Sequence, residues 1–178
     1  MKNIVAFSAS NSNHSINRAL LAIACESICG QRIINVDIRD YPMPIYSIDL
    51  QNNDGFPDTT LALKELFASA DAFVIATPEH NGSMPAVFKN TIDWLSRMAT
   101  KEAPIFGNKP VLLLSTSPGP NGGATNIKTL IQLMPWWGAK VAHHYSLGRF
   151  QEHVNENTLA PQEQLRLENI IDQFIQSV

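Results

Sequence analysis

Short apolar runs alternate with segments of helical spacing along most of this chain. Residues 3–8, 71–77 and 109–115 are almost continuously apolar (NIVAFS, DAFVIAT and KPVLLLS). Strands that are covered on both faces of a parallel sheet have this character, because neither face meets water. Repeated strand–helix units of this kind predict a doubly wound α/β domain, with helices on both sides of the sheet.

Five strands and five main helices are expected from the pattern. The predicted strands are residues 3–8, 32–38, 71–77, 109–115 and 139–143, and the predicted helices are 15–29, 57–69, 84–98, 124–134 and 161–176. Ser83 is the expected cap of the third helix and Pro85 suits its first turn, whereas the Pro-rich residues 41–47 are expected to be irregular. No linker or repeat divides residues 1–178. The expected fold is therefore a single flavodoxin-like three-layer α/β sandwich, with a five-stranded parallel sheet in the order 2-1-3-4-5.

Bulk composition restricts the class of partner. The net charge of −3 gives no general basic field that would attract nucleic acid or an anionic membrane. No apolar run approaches the roughly 20 residues of a membrane-spanning helix, and the start of the chain turns polar too soon for a signal peptide. We therefore expect a cytoplasmic protein with neither a nucleic-acid nor a membrane partner.

The only cysteines, Cys25 and Cys29, lie four residues apart in a predicted helix. They can be interpreted as a redox pair or half a metal site, or as two small residues in or near the core. The second interpretation is favoured, since no CxxC motif exists and no neighbouring ligands complete a metal site. No metal is expected.

Three loops should form the ligand site, because parallel sheets bind ligands at the carboxyl ends of their strands. The loop at residues 8–17 (SASNSNHSIN) is rich in hydroxyl and amide groups and opens a helix. It lacks both GxGxxG and GK[ST], which argues against a dinucleotide or ATP cradle and favours a monophosphate held by hydroxyls and backbone N–H groups. The alternative is a plain polar turn in which Ser15 is an ordinary N-cap of the helix that follows.

The other two loops carry turn and glycine signals. Residues 77–83 (TPEHNGS) include the strong turn pair Asn-Gly, and a turn directly after a buried strand exposes backbone donors and acceptors that a ligand can use. Residues 115–123 (STSPGPNGG) contain three glycines, which allow the backbone to approach a flat ligand closely. The alternatives are an ordinary strand–helix connection and a flexible loop.

Together, these loops resemble the NADPH-dependent FMN reductase family, which includes quinone, azo-dye and chromate reductases. The phosphate loop of that family, G-S-x-R-x-x-S-x-N-R, is similar to residues 9–18 (ASNSNHSINR). The flavin loop, P-E-Y-N-x-S-x-P followed by L-K-N-A-I-D-W-x-S-R, is similar to residues 78–85 (PEHNGSMP) and 88–97 (FKNTIDWLSR). The second match is long and specific, and the resemblance extends over nearly the whole chain.

The resemblance implies a set of FMN-binding residues and no catalytic side chain, because the flavin carries the chemistry. The implied contacts are Ser10, Ser12, Ser15, Ile16 and Asn17 for the phosphate, Pro78, Glu79, His80, Asn81 and Gly82 for the isoalloxazine and ribityl side, and Ser115, Ser117 and Gly119 for the other edge. Two positions depart from the family. Ser12 replaces the loop arginine, which removes one charge-assisted contact and predicts weaker FMN binding. His80 replaces the loop tyrosine, which predicts altered stacking and substrate preference.

By the same resemblance, the chain would be an oxidoreductase that takes hydride from NADPH or NADH and reduces a small acceptor such as a quinone, a flavin or an azo compound by ping-pong turnover. Arg149 is a candidate contact for a 2′-phosphate. The alternatives are a flavodoxin-like electron carrier and a regulatory or interaction module that has lost flavin turnover. The sequence identifies neither the acceptor nor which of NADPH and NADH is the electron donor.

The resemblance also implies a homodimer or homotetramer with the helix at residues 84–98 at the interface. That helix carries one apolar stripe and a second one beside it, which predicts a surface left over for a partner. The stripes are Phe88, Ile92 and Leu95, and Val87, Thr91, Trp94 and Met98. Trp136 and Trp137 are expected either to extend this surface or to cover the active site. Two interpretations are open for His143, His144 and Tyr145. They border the pocket, or they belong to the core or the surface, which is the favoured interpretation.

Overall fold

The computed structural model describes residues 1–178 and contains a five-stranded parallel sheet in the order β2-β1-β3-β4-β5. The strands are β1 (Asn3–Ser8), β2 (Arg32–Asp37), β3 (Ala72–Ala76), β4 (Lys109–Thr116) and β5 (Ala139–Leu147). This order and the parallel direction of every pair confirm the prediction. Because β1 and β3 lie side by side between β2 and β4, the chain reverses its direction of travel across the sheet at β1, which is where the ligand crevice of such a sheet opens.

Seven helices accompany the sheet. They are α1 (Ile16–Glu26), α2 (Ile48–Asp54), α3 (Asp58–Ser69), α4 (Ala86–Ser96), α5 (Ala124–Leu133), α6 (Phe150–His153) and α7 (Pro161–Ile175). None of them has the length and apolar character that crossing a bilayer requires. Helices α1 and α7 cover one face of the sheet, and α3, α4 and α5 cover the other.

The core is split by the sheet into two apolar clusters. Ile4 and Ala6 of β1 point into the cluster with α1 and α7, whereas Val5 and Phe7 point into the cluster with α3, α4 and α5. Successive side chains of a strand point to opposite faces, so a strand covered on both sides must be apolar at every position. This explains the continuous apolar runs of the sequence.

Several element boundaries differ from the predictions. Strand β5 continues to Leu147, with a register shift opposite Val111 and Leu112, so the prediction that it ends at His143 is wrong. Helix α4 begins at Ala86 with Pro85 at its N-cap and no side-chain cap. Ser83 instead exchanges backbone hydrogen bonds with His80, so its predicted capping role is also wrong.

The outer face of α4 is covered by the chain itself. The Trp94 side chain is fully buried, and its indole N–H donates to the Pro44 carbonyl oxygen at 2.8 Å. The rings of Tyr46 and Phe56 meet it edge-on at 5.2 and 6.2 Å between centroids. The second apolar stripe therefore does not leave a free surface at Trp94, because the segment at residues 44–56, which includes α2, covers it.

The two adjacent tryptophans precede strand β5. Trp136 and Trp137 belong to a single 3₁₀ turn, and only Gly138 separates it from the first residue of β5. Their backbone is therefore at the amino-terminal edge of the sheet, which favours an extended surface over a cover for the active site. Trp136 is almost fully exposed, whereas Trp137 packs edge-on against Phe88.

Candidate active site

The loops that follow β1, β3 and β4 meet at the carboxyl edge of the sheet. The sheet ladder continues one residue into each loop. The N–H of Ala9 donates to the Ala76 oxygen and the N–H of Thr77 donates to the Leu114 oxygen, both at 2.8 Å, and the N–H of Ser117 donates to the Leu147 oxygen at 3.3 Å. These bonds fix where each loop leaves the sheet, and so they bring the three loops together.

Serine side chains of the first loop accept backbone N–H groups of the same segment. The Ser10 hydroxyl accepts the N–H of Ser12, the Ser12 hydroxyl accepts the N–H of His14, and Ser15 caps α1 by accepting the N–H of Arg18, each at 3.3 Å. Ser15 is thus the N-cap of α1, as the alternative interpretation of this loop expects, and the cap uses only the Ser15 side chain. Six backbone N–H groups here donate to no acceptor within the chain; they belong to Ser10, Asn11, Asn13, Ser15, Ile16 and Asn17. A cluster of unpaired N–H groups at a helix start suits an anion.

Asn17 braces this loop against β4. Its side-chain amide donates to the Thr116 oxygen and accepts the Thr116 N–H, both at 3.0 Å. The residue is only 2% exposed. The side-chain oxygen and one side-chain N–H of Asn17 are thus occupied, and its unpaired backbone N–H faces no acceptor in the chain.

The second loop contains a tight two-residue turn. His80 and Ser83 pair through both backbone hydrogen bonds, at 2.8 and 3.1 Å. Asn81 and Gly82 between them have φ of 52° and 75°, which is the pattern of a type I′ turn and the reason that an Asn-Gly pair is found here. The N–H groups of Glu79, Asn81 and Gly82 have no acceptor in the chain, and residues 80–83 are exposed.

Glu79 ties the second loop to the third. Its carboxylate accepts the N–H of Asn126 in the first turn of α5 at 2.9 Å, and both its oxygens lie 3.3 Å from the side-chain nitrogen of Asn121. Helix α5 has Gly123 at its N-cap and therefore no capping side chain of its own. Glu79 supplies from a distant loop the acceptor and the negative charge that a helix N-terminus favours.

The third loop requires glycine at two consecutive positions. Gly122 and Gly123 have φ of 61° and 75°. A Cβ on Gly123 would lie 1.9 Å from the Ser115 hydroxyl oxygen, and one on Gly122 would lie 2.6 Å from the Ser146 hydroxyl oxygen. The buried Ser115 hydroxyl donates to the Thr77 oxygen at 2.6 Å, so it links the second loop to β4.

Within the third loop, the Ser117 hydroxyl donates to the Gly119 oxygen and accepts the N–H of Gly122, both at 2.9 Å. The N–H of Gly119 has no acceptor in the chain. Arg149 adjoins this loop, since its N–H donates to the same Gly119 oxygen at 2.8 Å, and its guanidinium group lies 3.7 Å from Glu152.

Other singled-out residues lie away from these loops. His143 and His144 pair with Leu112 and Leu113 within the sheet. Tyr145 is buried and donates to Glu163 at 2.7 Å; burial and this bond raise the pKa of its hydroxyl well above the usual range. Burial and the neighbouring Glu26 also raise the pKa of Cys25 to about 12, so its thiol stays protonated near neutral pH and is a poor nucleophile.

Sequence reasoning missed one residue that organises the site. Asn126 is fully buried, and its side-chain nitrogen donates to the Thr77 hydroxyl and the Pro78 oxygen at 3.1 and 3.0 Å. It clamps the start of the second loop onto α5. One sequence feature could have identified Asn126: it is a polar residue at a core-facing position of α5. A buried amide needs hydrogen-bond partners, so such a residue has a structural role.

Comparison with known proteins agrees with this architecture. Residues 2–152 match the family model of NADPH-dependent FMN reductases. A quinone reductase of Escherichia coli (strain K12) is 41% identical over 120 residues, or 67% of this chain, and the match spans 61% of the length of that relative. An NADPH:quinone oxidoreductase of Arabidopsis thaliana is 34% identical over 106 residues, which are 60% of this chain and 51% of the relative.

Among solved structures, the flavoenzyme NAD(P)H:(acceptor) oxidoreductase (FerB) of Paracoccus denitrificans has the same fold. It superposes with a TM-score of 0.79 at 24% identity, over 99% of this chain and 97% of the other. The family match covers 151 consecutive residues and includes all three loops of the site. The chain therefore belongs to the NADPH-dependent FMN reductase family.

Proposed function

We propose that this chain binds FMN across the three loops and uses NADPH or NADH to reduce small electron acceptors, such as quinones, flavins or azo compounds, by ping-pong hydride transfer. The observation that carries the proposal is that three loops with unpaired backbone N–H groups meet at one edge of the sheet. Family membership supports FMN as the ligand. Relatives that are named quinone reductases favour a quinone as the acceptor.

The first loop fits a phosphate monoester. Its six free backbone N–H groups surround the start of α1, where the helix dipole also favours negative charge. The hydroxyls of Ser10 and Ser12 each accept a backbone N–H, so their own protons remain available as donors. The donor set is therefore suited to the terminal phosphate of FMN.

The second and third loops fit the flat ring system. The free N–H groups of Glu79, Asn81, Gly82 and Gly119 offer donors, and the space beside Gly119 is open, since a Cβ built there would meet no atom within 4 Å. When bound, FMN supplies the hydride acceptor and electron donor that the protein itself lacks. In this account, the backbone donors hold the ring edge and favour negative charge on it.

Side chains around the site act by positioning. The carboxylate of Glu79 and the amide of Asn126 hold the second loop on α5, and the Ser115 hydroxyl holds it on β4. His80 stands on the exposed turn, where an imidazole can line the approach of either substrate. The open edge allows the nicotinamide and the acceptor to use the same place in succession, which supports ping-pong turnover.

We also propose that two or four copies associate through the segment that covers α4. Ile45 is 87% exposed and Ile48 is 48% exposed on this segment at residues 44–56, and apolar side chains that are exposed next to one another mark contact surfaces, whereas single ones do not. Light scattering at micromolar concentration should show an oligomer, and Ile45→Ser should shift it toward the monomer. A monomeric mass for the unaltered chain would refute this.

The function is tested by a flavin titration followed by turnover. The purified chain should quench the fluorescence of added FMN and develop a visible flavin spectrum. NADPH or NADH should then bleach that spectrum without oxygen, and a quinone should restore it. Steady turnover of NAD(P)H with the quinone would exclude a simple electron carrier. A chain that ignores FMN would contradict the proposal and favour an interaction module.

A further inference from the structure

A positive charge that position 12 lacks is supplied to the first loop by Arg39, in the 3₁₀ turn Ile38–Asp40. Arg39 follows β2, and its Nη1 donates to the side-chain oxygen of Asn13 at 2.7 Å, inside the first loop. Arg18 reaches the same loop from α1, where it donates to the main-chain oxygens of Ser10 and Asn13 at 3.3 and 3.5 Å. Asn13 is therefore held by two guanidinium groups, one at each of its oxygens.

Arg39 is itself fixed by Asp37. Its Nε donates to the two carboxylate oxygens at 2.9 and 3.0 Å, its Nη2 donates to Oδ2, and its backbone N–H donates to Oδ1 at 3.0 Å. Arg18 lies 4.0 Å from the same carboxylate. Because the Asp37 carboxylate holds Nε and Nη2 of Arg39, the direction of Nη1 toward Asn13 is fixed before any ligand binds.

The bond from Arg39 determines the orientation of the Asn13 amide. A guanidinium group has donors only, so the side-chain atom of Asn13 that faces it must be the oxygen. The amide nitrogen, which is bonded to the same carbon as that oxygen, then points away from Arg39. Its two N–H groups donate to no acceptor in the chain, and Asn13 is exposed. A charged donor on the amide oxygen also polarises the amide and strengthens its N–H groups as donors.

We propose that Asn13, oriented and polarised by Arg39, donates its amide N–H groups to the FMN phosphate in place of the arginine that Ser12 replaces. Asn13 is the contacting residue, and Arg39 is a positioning residue that acts through it. This inference rests on the proposed FMN function and assigns the phosphate contact within it.

The test is a double-mutant cycle that is read by FMN fluorescence quenching, with riboflavin as the ligand that lacks the phosphate. Asn13→Ala should weaken FMN binding about tenfold, which is the usual effect of one hydrogen bond to a charged group. Asn13→Asp should weaken it more, because a carboxylate would face the phosphate. Arg39→Gln should weaken it by several-fold. The double variant should bind FMN about as weakly as Asn13→Ala alone, and riboflavin affinity should stay constant throughout.

The controls are Arg32→Gln at the start of β2 and Asn53→Ala in α2, both of which are exposed and make no hydrogen bond through their side chains. Urea unfolding verifies that each variant is folded. Additive losses in the double variant would overturn the role of Arg39, since they would mean that it acts independently of Asn13. An unchanged affinity in Asn13→Ala, or an equal loss for riboflavin, would overturn the phosphate contact while leaving the proposed function intact. Failure of the unaltered chain to bind FMN would overturn both.

Discussion

Removal of the Glu79 carboxylate should destabilise the fold as well as the site, because this group caps α5 from outside the helix. In Glu79→Ala, the Asn126 N–H loses its 2.9 Å acceptor, and the N-terminus of α5 loses its only capping side chain. A hydrogen bond to a charged group contributes about 1.5–3 kcal/mol, and its interaction with the helix dipole is part of the same contact. We expect a loss of about 2 kcal/mol in the free energy of unfolding.

Glu79→Gln keeps an acceptor but loses the charge, so its loss should be about half as large, or roughly 1 kcal/mol. Urea unfolding followed by circular dichroism measures both values. Glu65→Ala is the matched control: Glu65 is an exposed helical glutamate without a side-chain partner, and its change should stay within about 0.5 kcal/mol. If Glu79→Ala were as stable as this control, the capping argument would be refuted.

Three further predictions follow from buried or paired groups. Asn17→Ala leaves two buried backbone groups of β4 without partners, so urea unfolding should show a loss of about 3 kcal/mol; a loss below about 1 kcal/mol would contradict it. A thiol reagent at pH 8 should modify the exposed Cys29 quickly but Cys25 only after unfolding, because burial raises the Cys25 pKa to about 12; equal rates would disprove this. The Arg39 guanidinium lowers the Asp37 pKa from 3.8 to about 2, so the stabilisation from this carboxylate is complete above pH 3.8 and is lost as the pH falls through about 2. The stability difference between the unaltered chain and Asp37→Asn should therefore shrink below pH 4, and a difference that is constant down to pH 2 would count against it.

The sheet could be predicted from the sequence because its signal is local. A strand that is buried on both faces is apolar at every position, and β1 has the predicted limits. The elements that escaped prediction depend on distant contacts. The end of β5 carries polar residues because it is an edge strand with one half-exposed face, and the hairpin of β6 (Val154–Asn155) and β7 (Thr158–Leu159) turns at two residues that lack the usual glycine.

The site was less accessible to sequence reasoning than the fold. Loop composition drew attention to the three loops that meet at the carboxyl edge of the sheet, but it did not indicate which side chains hold them in place. Glu79 caps a helix 45 residues away in the chain, and Trp94 is buried by a segment that precedes it by about 50 residues. Such roles depend on tertiary proximity, and one sequence records the residue type without its partner.

The central claim is that FMN lies on the loops at the carboxyl edge of the sheet, and amide shift mapping by ¹⁵N NMR tests it most directly. On addition of FMN, the largest shifts should fall on the free N–H groups of residues 10–17, on those of residues 79–82 and on Gly119. Riboflavin should reproduce the shifts of the second and third loops but not those of the first. Shifts confined to the opposite edge of the sheet, around Trp136, or no shifts at saturating FMN, would contradict the account.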